Sequence, residues 1–338
     1  MTPLRRALYR LLLLAVASVL ALGGVDLVLR RSGWDQRAVA PTLYFQDVHL
    51  QLHQPAEDPF LRYTLRPGVK EDGQGPFGRY TTQINAAGAR GPERPLERTP
   101  GVARALVFGA SSVWGEAVSD DATVVAQLER VLNARAGAAS YEAWNFGTSA
   151  YNLAQIARLA RIKGAEIPAD LAVLMVSNMG RRPFLREAGA NPNYLRFFFA
   201  DPTSWAENFP PPERVPAALH GLLIRHLALY RGWVAGRQAR SRQLDPGPAD
   251  RVSAEEARAA DRELGALGLR VVFVGVPGGM CRSAEQIYPG LEPARFIDLG
   301  RPGAPPGYNN LHPPPEILGL WAEELANALE ARGTLMPR

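Results

Sequence analysis

The chain has 338 residues, of which 46% are hydrophobic and 21% are charged, and these values are typical of a folded globular protein. The net charge is +5, but the arginines are spread along the chain and no nucleic-acid-binding motif accompanies them, so we predict no nucleic-acid partner. A basic surface that faces anionic lipid or an acidic polysaccharide is the alternative. The single cysteine, Cys281, excludes an internal disulfide and a multi-cysteine zinc site. We expect it to be a semi-buried bystander; the alternative is a reactive thiol.

An apolar segment near the amino end, from Ala7 to Leu29, is long enough to cross a bilayer of about 30 Å. The arginines before it, Arg5, Arg6 and Arg10, predict a cytoplasmic amino end and an exported remainder. Asp26 lies near the outer end of the segment, where an acid is tolerated or pairs with another helix. We predict an uncleaved signal-anchor. A cleaved signal peptide and a buried soluble helix are the alternatives.

Composition divides the chain into three predicted regions. Residues 1–31 form the cytoplasmic tip and the transmembrane anchor. Residues 32–101 are rich in Pro, Gly and polar turns and form an extended lead-in that packs on the main domain. Residues 102–335 form the main domain, with an aromatic-rich insertion at about 180–250. The insertion has a small core of its own, or alternatively forms a lid or an acyl-chain pocket over the site.

Short apolar runs alternate with segments of helical spacing in the main domain. The predicted strands are Ala105–Phe108, Tyr141–Asn145, Leu171–Val176, Val271–Val276 and Phe296–Leu299, with a further short strand around Tyr80–Ile84 in the lead-in. The predicted helices are Ala122–Arg135, Leu153–Ile162, Ala217–Val234, Ala254–Leu267 and Pro315–Ala331. This alternation predicts βαβ units, and hence a parallel sheet covered by helices on both faces. In such sheets the reacting groups lie at the carboxyl ends of the strands.

Four residues capable of chemistry follow these strands or precede the last helix. Ser111 lies at a strand-to-helix turn after Gly109, where a nucleophile is exposed and backbone N–H groups converge. Gly147 follows the second main-domain strand, Asn178 follows the third, and His312 precedes the terminal helix. A serine, N–H donors, an amide and a histidine at one sheet edge indicate acyl transfer.

Each of these residues also has a purely structural interpretation. Ser111 would cap the following helix, His312 would cap the terminal helix, and Asn178 would bind backbone groups. Ser112 is the second candidate nucleophile, although it is expected to be a cap. No ligand cluster is predicted among the other histidines, which are His49, His53, His220 and His226, and we predict no metal and no cofactor.

The sequence resembles the SGNH hydrolase superfamily, also called GDSL-like, in its membrane-anchored bacterial form. The similarity covers the end of the anchor, the blocks Leu65–Gly68 and Ile84–Gly91, the Ser111 turn and the terminal region. It leaves mainly Gly180–Pro248 unmatched. The resemblance implies a flavodoxin-like three-layer α/β/α sandwich with a parallel sheet, preceded by one transmembrane helix. It also implies hydrolysis or transfer of acyl groups on carbohydrate or lipid esters by a periplasmic domain anchored in the bacterial inner membrane.

The resemblance assigns a role to each matching position. Ser111 is the nucleophile, and its backbone N–H forms the oxyanion hole with Gly147 and Asn178. His312 is the general base. Asn309 stands where the family has the aspartate that orients the histidine.

Three departures from the family pattern lower the expected activity. Ala110 replaces an aspartate, and Val176 and Met179 replace the residues that flank the family's asparagine. The most serious departure is Asn309, because the equivalent change costs about 10⁴ in kcat in a serine protease. Asp298 is a less favoured substitute acid. The sequence therefore predicts a serine esterase or O-acyltransferase, with a non-catalytic scaffold that binds a glycan or a partner membrane protein as the alternative; no particular protein partner is predicted.

Overall fold

The computed structural model describes residues 3–32, 34, 52–58, 60–61, 63–138, 140–149, 151–177, 211–212, 214–240, 251–279, 281–300 and 312–334. The chain divides into two compact units. The smaller contains Met1–Phe45 and Leu195–Asp245, and the larger contains Gln46–Tyr194 and Pro246–Arg338. Most of the predicted insertion, Leu195–Asp245, therefore groups with the amino-terminal helix.

The elements are numbered here in chain order. The strands are β1 (His53–Pro55), β2 (Tyr63–Leu65), β3 (Lys70–Gly75), β4 (Gly78–Gln83), β5 (Ala103–Gly109), β6 (Tyr141–Gly147), β7 (Leu171–Val176), β8 (Arg270–Gly275) and β9 (Phe296–Asp298). The helices are α1 (Pro3–Arg31), α2 (Ser111–Trp114), α3 (Val124–Ala136), α4 (Leu153–Glu166), α5 (Ala217–His226), α6 (Ala228–Arg240), α7 (Arg251–Ala266), α8 (Ala284–Ile287) and α9 (Pro315–Ala331).

A five-stranded parallel sheet forms the centre of the larger unit, in the order β6-β5-β7-β8-β9. Counted within the sheet this is the 2-1-3-4-5 order of flavodoxin-like folds. Alternate residues of β5 face opposite layers. Leu106 and Phe108 pack in the core with α4 and α7, whereas Ala105 and Val107 pack with α3 and α9. The predicted fold class, a three-layer α/β/α arrangement, is confirmed.

The predicted main-domain strands and helices are present, most of them with bounds shifted by one to four residues, and two of the helices differ in form. The segment predicted as Ala122–Arg135 begins with a 3₁₀ turn at Asp120–Ala122, and Thr123 then caps α3 through a hydrogen bond from the N–H of Ala126. The segment predicted as one helix over Ala217–Val234 is two helices, because α5 ends at His226 and α6 starts at Ala228.

The lead-in contains two antiparallel hairpins, β1–β2 and β3–β4, of which only part of β4 was predicted. Strand β3 is polar and its residues are exposed or half-buried, so its sequence lacks the apolar alternation on which strand prediction depends. Leu61 and Tyr63 join the core beside α4. The hydroxyl of Tyr63 donates to the carbonyl of Ser149, directly after β6. The lead-in thus contributes to the packing behind the carboxyl edge of the sheet.

In the smaller unit, α1 is long and apolar enough to cross a membrane by length and composition. Its side chains are exposed almost throughout, and Asp26 is the buried exception. Helix α6 packs on α1. The aromatic residues between 194 and 209, which were predicted to form a lid or a small core, lie outside the described residues.

Candidate active site

The turn after β5 brings Ser111 to the carboxyl edge of the sheet. Gly109 ends the strand, Ala110 is in extended conformation, and Ser111 starts the four-residue helix α2. A side chain at Gly109 would put its Cβ 2.2 Å from Cγ2 of Val113, so the turn requires glycine there. The tightness of this turn fixes the direction in which the serine points.

His312 lies directly against Ser111. Its Nε2 is 2.8 Å from Oγ of Ser111, within the range of a hydrogen bond between a nucleophile and its base. His312 precedes Pro314, the residue that caps α9, and α9 is fixed to the sheet by the buried side chains of Leu318 and Trp321. Burial lowers the pKa of His312 below its ordinary value of 6.5. The imidazole is therefore neutral at neutral pH and able to accept the proton of the serine.

The structural alternatives for Ser111 and Ser112 find no support in the described residues. The N-cap of α2 is Ala110, and no side chain caps this helix. Ser111 uses its hydroxyl to contact His312. Ser112 is buried, and its hydroxyl has no hydrogen-bond partner in the described part of the chain. Within the described residues, Ser111 contacts a base and Ser112 does not.

The predicted oxyanion donors differ in their surroundings. The backbone N–H of Ser111 opens α2 and has no acceptor among the described residues, so it is available to a ligand. The N–H of Gly147, by contrast, donates to Oδ1 of Asn145 at 2.9 Å. A Cβ at Gly147 would lie 2.2 Å from the backbone nitrogen of Trp114. In this structure Gly147 therefore serves the close packing of β6 against α2, and its N–H donates to Asn145; its oxyanion role stays a prediction.

Two further residues hold α2 from its carboxyl end. The guanidinium of Arg90 donates to the carbonyls of Trp114 and Gly115, at 2.6 Å each, and to that of Val118. The side-chain amide of Asn145 donates to the carbonyl of Val113 at 2.9 Å. The carbonyls of Val113 and Trp114 have no partners within so short a helix, and Asn145 and Arg90 satisfy them from outside.

Arg90 is itself fixed on several sides. Its Nε donates to Asp120 at 2.7 Å, its guanidinium lies 4.7 Å from the ring centroid of Trp114, and its backbone N–H donates to the carbonyl of Asn145. Burial lowers the pKa of Arg90, and Asp120 opposes this shift. The sequence resemblance includes the block Ile84–Gly91 but assigns no role to Arg90 within it. In the sequence, Arg90 is visible only as an arginine in a glycine-rich turn. This pattern does not indicate which groups the side chain contacts in the fold.

The other predicted site residues fall into two groups. Asn178 and Asn309 lie outside the described residues. Asp298 pairs with Arg282 at 2.8 Å, so the described contacts give no support to Asp298 as the acid that orients His312. Cys281 is buried, and its burial raises the pKa of the thiol to about 12, which agrees with an inert bystander.

Comparison with known proteins gives matches among solved structures. No protein-family model and no curated protein matches the sequence. A lipolytic protein of the G-D-S-L family from Desulfitobacterium hafniense DCB-2 is matched at 12% identity and a TM-score of 0.33, over 67% of this chain and 99% of that one. TesA is matched at 14% identity and a TM-score of 0.34, over 68% and 99%. Salicylyl-acyltransferase SsfX3 from a tetracycline biosynthetic pathway is matched at 16% identity and a TM-score of 0.29, over 74% and 60%.

These matches include a GDSL-type protein, which is the group that the sequence resembles. Their TM-scores are low, so the function proposed below depends on the geometry of Ser111 and His312.

We predict that Arg90→Lys slows the reaction of Ser111 with a fluorophosphonate by about 10–100-fold, because an ammonium cannot bind all the carbonyls at the end of α2 and a small displacement of the nucleophile is costly. The measurement is the second-order labelling rate of the full chain in detergent, with near-UV circular dichroism to verify folding. Arg79→Lys, at an exposed arginine, is the matched control. A folded Arg90→Lys protein that labels at the unmodified rate would show that Arg90 does not position Ser111.

The labelling rate should also depend on the protonation of His312. Since burial lowers the pKa of His312, its neutral form persists below pH 6.5. We expect the rate to rise with pH and to reach half its plateau below pH 6.5, and we expect this dependence to disappear in His312→Ala together with most of the rate. A half-maximal rate at or above pH 6.5 would contradict the desolvated environment of His312.

Proposed function

We propose that the chain is a membrane-anchored, extracytoplasmic serine esterase or O-acyltransferase that acts on a carbohydrate or lipid ester through an acyl-serine. The observation that carries this proposal is the 2.8 Å contact between Nε2 of His312 and Oγ of Ser111 at the carboxyl edge of a parallel sheet. A neutral imidazole in contact with a serine hydroxyl is the arrangement that nucleophilic acyl transfer requires.

In the proposed reaction, Oγ of Ser111 forms a bond to the carbonyl carbon of the ester, and its proton passes to Nε2 of His312. The C–O bond to the leaving alcohol then breaks, and His312 returns the proton to the departing oxygen. Water or a sugar hydroxyl next attacks the acyl carbon and gives its proton to His312. The bond between the acyl carbon and Oγ of Ser111 then breaks, and His312 returns the proton to Oγ. Water as the acceptor gives hydrolysis, and a sugar hydroxyl gives transfer.

The carbonyl oxygen becomes negatively charged in each tetrahedral intermediate and requires hydrogen-bond donors. The backbone N–H of Ser111 is one such donor, since it opens α2 and has no acceptor among the described residues. Asn178 follows the end of β7 by two residues in sequence and is proposed as the second donor. Gly147 would contribute only by releasing Asn145.

The location is inferred from α1 and its flanks. An apolar helix of this length fits a membrane, and the arginines at its amino end favour the cytoplasmic side for that end. The larger unit would then act on the periplasmic side of a bacterial inner membrane. No cofactor is invoked in this scheme, because serine, histidine and N–H donors supply every proton transfer and contact that it uses.

The direct test is intact-mass analysis of the full chain in detergent after exposure to a fluorophosphonate, a reagent that requires an activated serine but no knowledge of the substrate. We expect one adduct, which is lost in Ser111→Ala and reduced at least about 100-fold in rate in His312→Ala. Ser112→Ala is the matched control and should keep the adduct, since Ser112 contacts no base. A folded protein that forms no adduct would sink the enzyme proposal in favour of a non-catalytic scaffold.

A second test concerns Asn309, which is proposed to orient His312 but to leave the imidazolium unstabilised. Asn309→Asp should increase the hydrolysis of a p-nitrophenyl ester by up to about 10⁴-fold, the reverse of the loss seen when an aspartate in this role is replaced. Asn310→Asp adds the same charge one residue later and is the control. Equal rates in the two variants would show that position 309 does not act on His312.

A further inference from the structure

The carboxyl end of α1 binds the facing ends of α5 and α6. Oδ1 of Asp26 accepts a hydrogen bond from the backbone N–H of Leu229 at 3.0 Å, in the first turn of α6. Arg30 donates to Asp26 at 2.9 Å and also to the carbonyl of His226, the last residue of α5. A carboxylate thus binds the positive end of one helix, and a guanidinium binds the negative end of the other.

Additional contacts fix this helical hairpin, which we define as residues 214–240. The buried side chain of Arg231 donates to the carbonyls of Ile224 and Arg225 at the end of α5. A Cβ at Gly232 would lie 2.2 Å from the ring of Trp34, so α6 also lies against the chain just after α1. The apolar run of α1 ends at Leu29, within four residues of Asp26 and next to Arg30. The hairpin is therefore held at the level where α1 changes from apolar to charged residues.

The surface of the hairpin is apolar and basic. Its exposed large apolar side chains are Leu219, Leu222, Leu227, Leu229 and Trp233. In sequence, residues 214 to 240 contain five arginines and no aspartate or glutamate; Arg231 is buried, whereas Arg214 and Arg225 are exposed. Helices that combine exposed leucine and tryptophan with arginine, and that lack acids, are typical of the interface of an anionic membrane.

We propose that the helical hairpin lies in the headgroup layer of the membrane that α1 crosses and binds anionic lipid there. The proposal rests on the proposed membrane crossing by α1. The polar contacts of Asp26 and Arg30 set the depth of the hairpin, the leucines and Trp233 enter the acyl boundary, and the exposed arginines Arg214 and Arg225 reach the lipid phosphates. The chain would then have a second membrane contact besides its anchor, and this contact would restrict the tilt of the smaller unit at the membrane surface.

The test measures the depth of spin labels in the full chain, reconstituted into phosphatidylcholine vesicles with and without phosphatidylglycerol. Labels are placed by Leu222→Cys and Leu229→Cys in the hairpin. Leu267→Cys and Leu320→Cys in the larger unit are matched controls, since leucines 222, 267 and 320 are 58%, 55% and 51% exposed. Val19→Cys on α1 is the reference for the bilayer. The native Cys281 is buried, and the unmodified chain provides the labelling background.

We expect the hairpin labels to be more accessible to oxygen than to a water-soluble nickel chelate, at a depth of about 5–10 Å below the lipid phosphates. The control labels should show the reverse. Omitting phosphatidylglycerol should move the hairpin labels toward water, and no shift would overturn the assignment to anionic lipid. Nickel accessibility at the hairpin equal to that of the controls would overturn the membrane contact.

Two other outcomes would also overturn the proposal and would identify the error. If neither oxygen nor the nickel chelate reaches the labels in the hairpin, this surface is covered by protein. The covering protein would be a second copy of this chain or another partner. A water-exposed label at position 19 would refute the membrane crossing of α1, and the hairpin contact with it. Fluorophosphonate labelling of Ser111 would be unaffected in either case, so failure of the catalytic proposal remains distinguishable.

Discussion

The candidate active site depends on the hydrogen bonds that the buried guanidinium of Arg90 donates to the carbonyls at the end of α2. A helix of four residues leaves most of its carbonyls without partners, and in isolation it is not stable. Arg90 and the amide of Asn145 supply donors to the carbonyls at its end. A buried charge with several hydrogen bonds and an ionic partner is costly to disturb, since removing either partner leaves the other unsatisfied. The position of Ser111 is thereby set by residues that do not touch it.

The sheet then brings the two reacting groups together across the chain. Ser111 and His312 are separated by 201 positions in sequence, yet their side chains are in contact, because one follows β5 and the other precedes α9, which packs on the same sheet. Both ends of this contact are rigid, the turn by its glycine and α9 by its buried face. The entropy of bringing nucleophile and base together is thus lost during folding and not during the reaction.

Much of this arrangement could be predicted from sequence, and the exceptions have identifiable causes. The bounds of β7 and α9 were predicted to the residue, because apolar runs and a proline mark them clearly. The approach of Ser111 and His312 was predicted from their positions, one after a strand and one before the last helix, together with the sequence resemblance. The occupation of the Gly147 N–H by Asn145 and the role of Arg90 were not, since both depend on partners distant in sequence. The break at Leu227 was also missed: the helical periodicity continues through it, and the contacts that favour it come from α1.

The burial of His312 has opposite effects before and after it accepts the proton of Ser111 in the proposed reaction. It keeps His312 neutral, and so ready to accept a proton, but it also makes the imidazolium that follows more costly. An aspartate would normally offset that cost, and Asp298, the acid considered as a substitute, pairs with Arg282. In the proposed reaction, the backbone N–H of Ser111 at the start of α2 stabilises the charge that develops on the oxyanion. The contacts of Arg90 and Asn145 at the other end of α2 support the proposed chemistry for this reason, because they hold the nucleophile and its nearest oxyanion donor in one rigid turn.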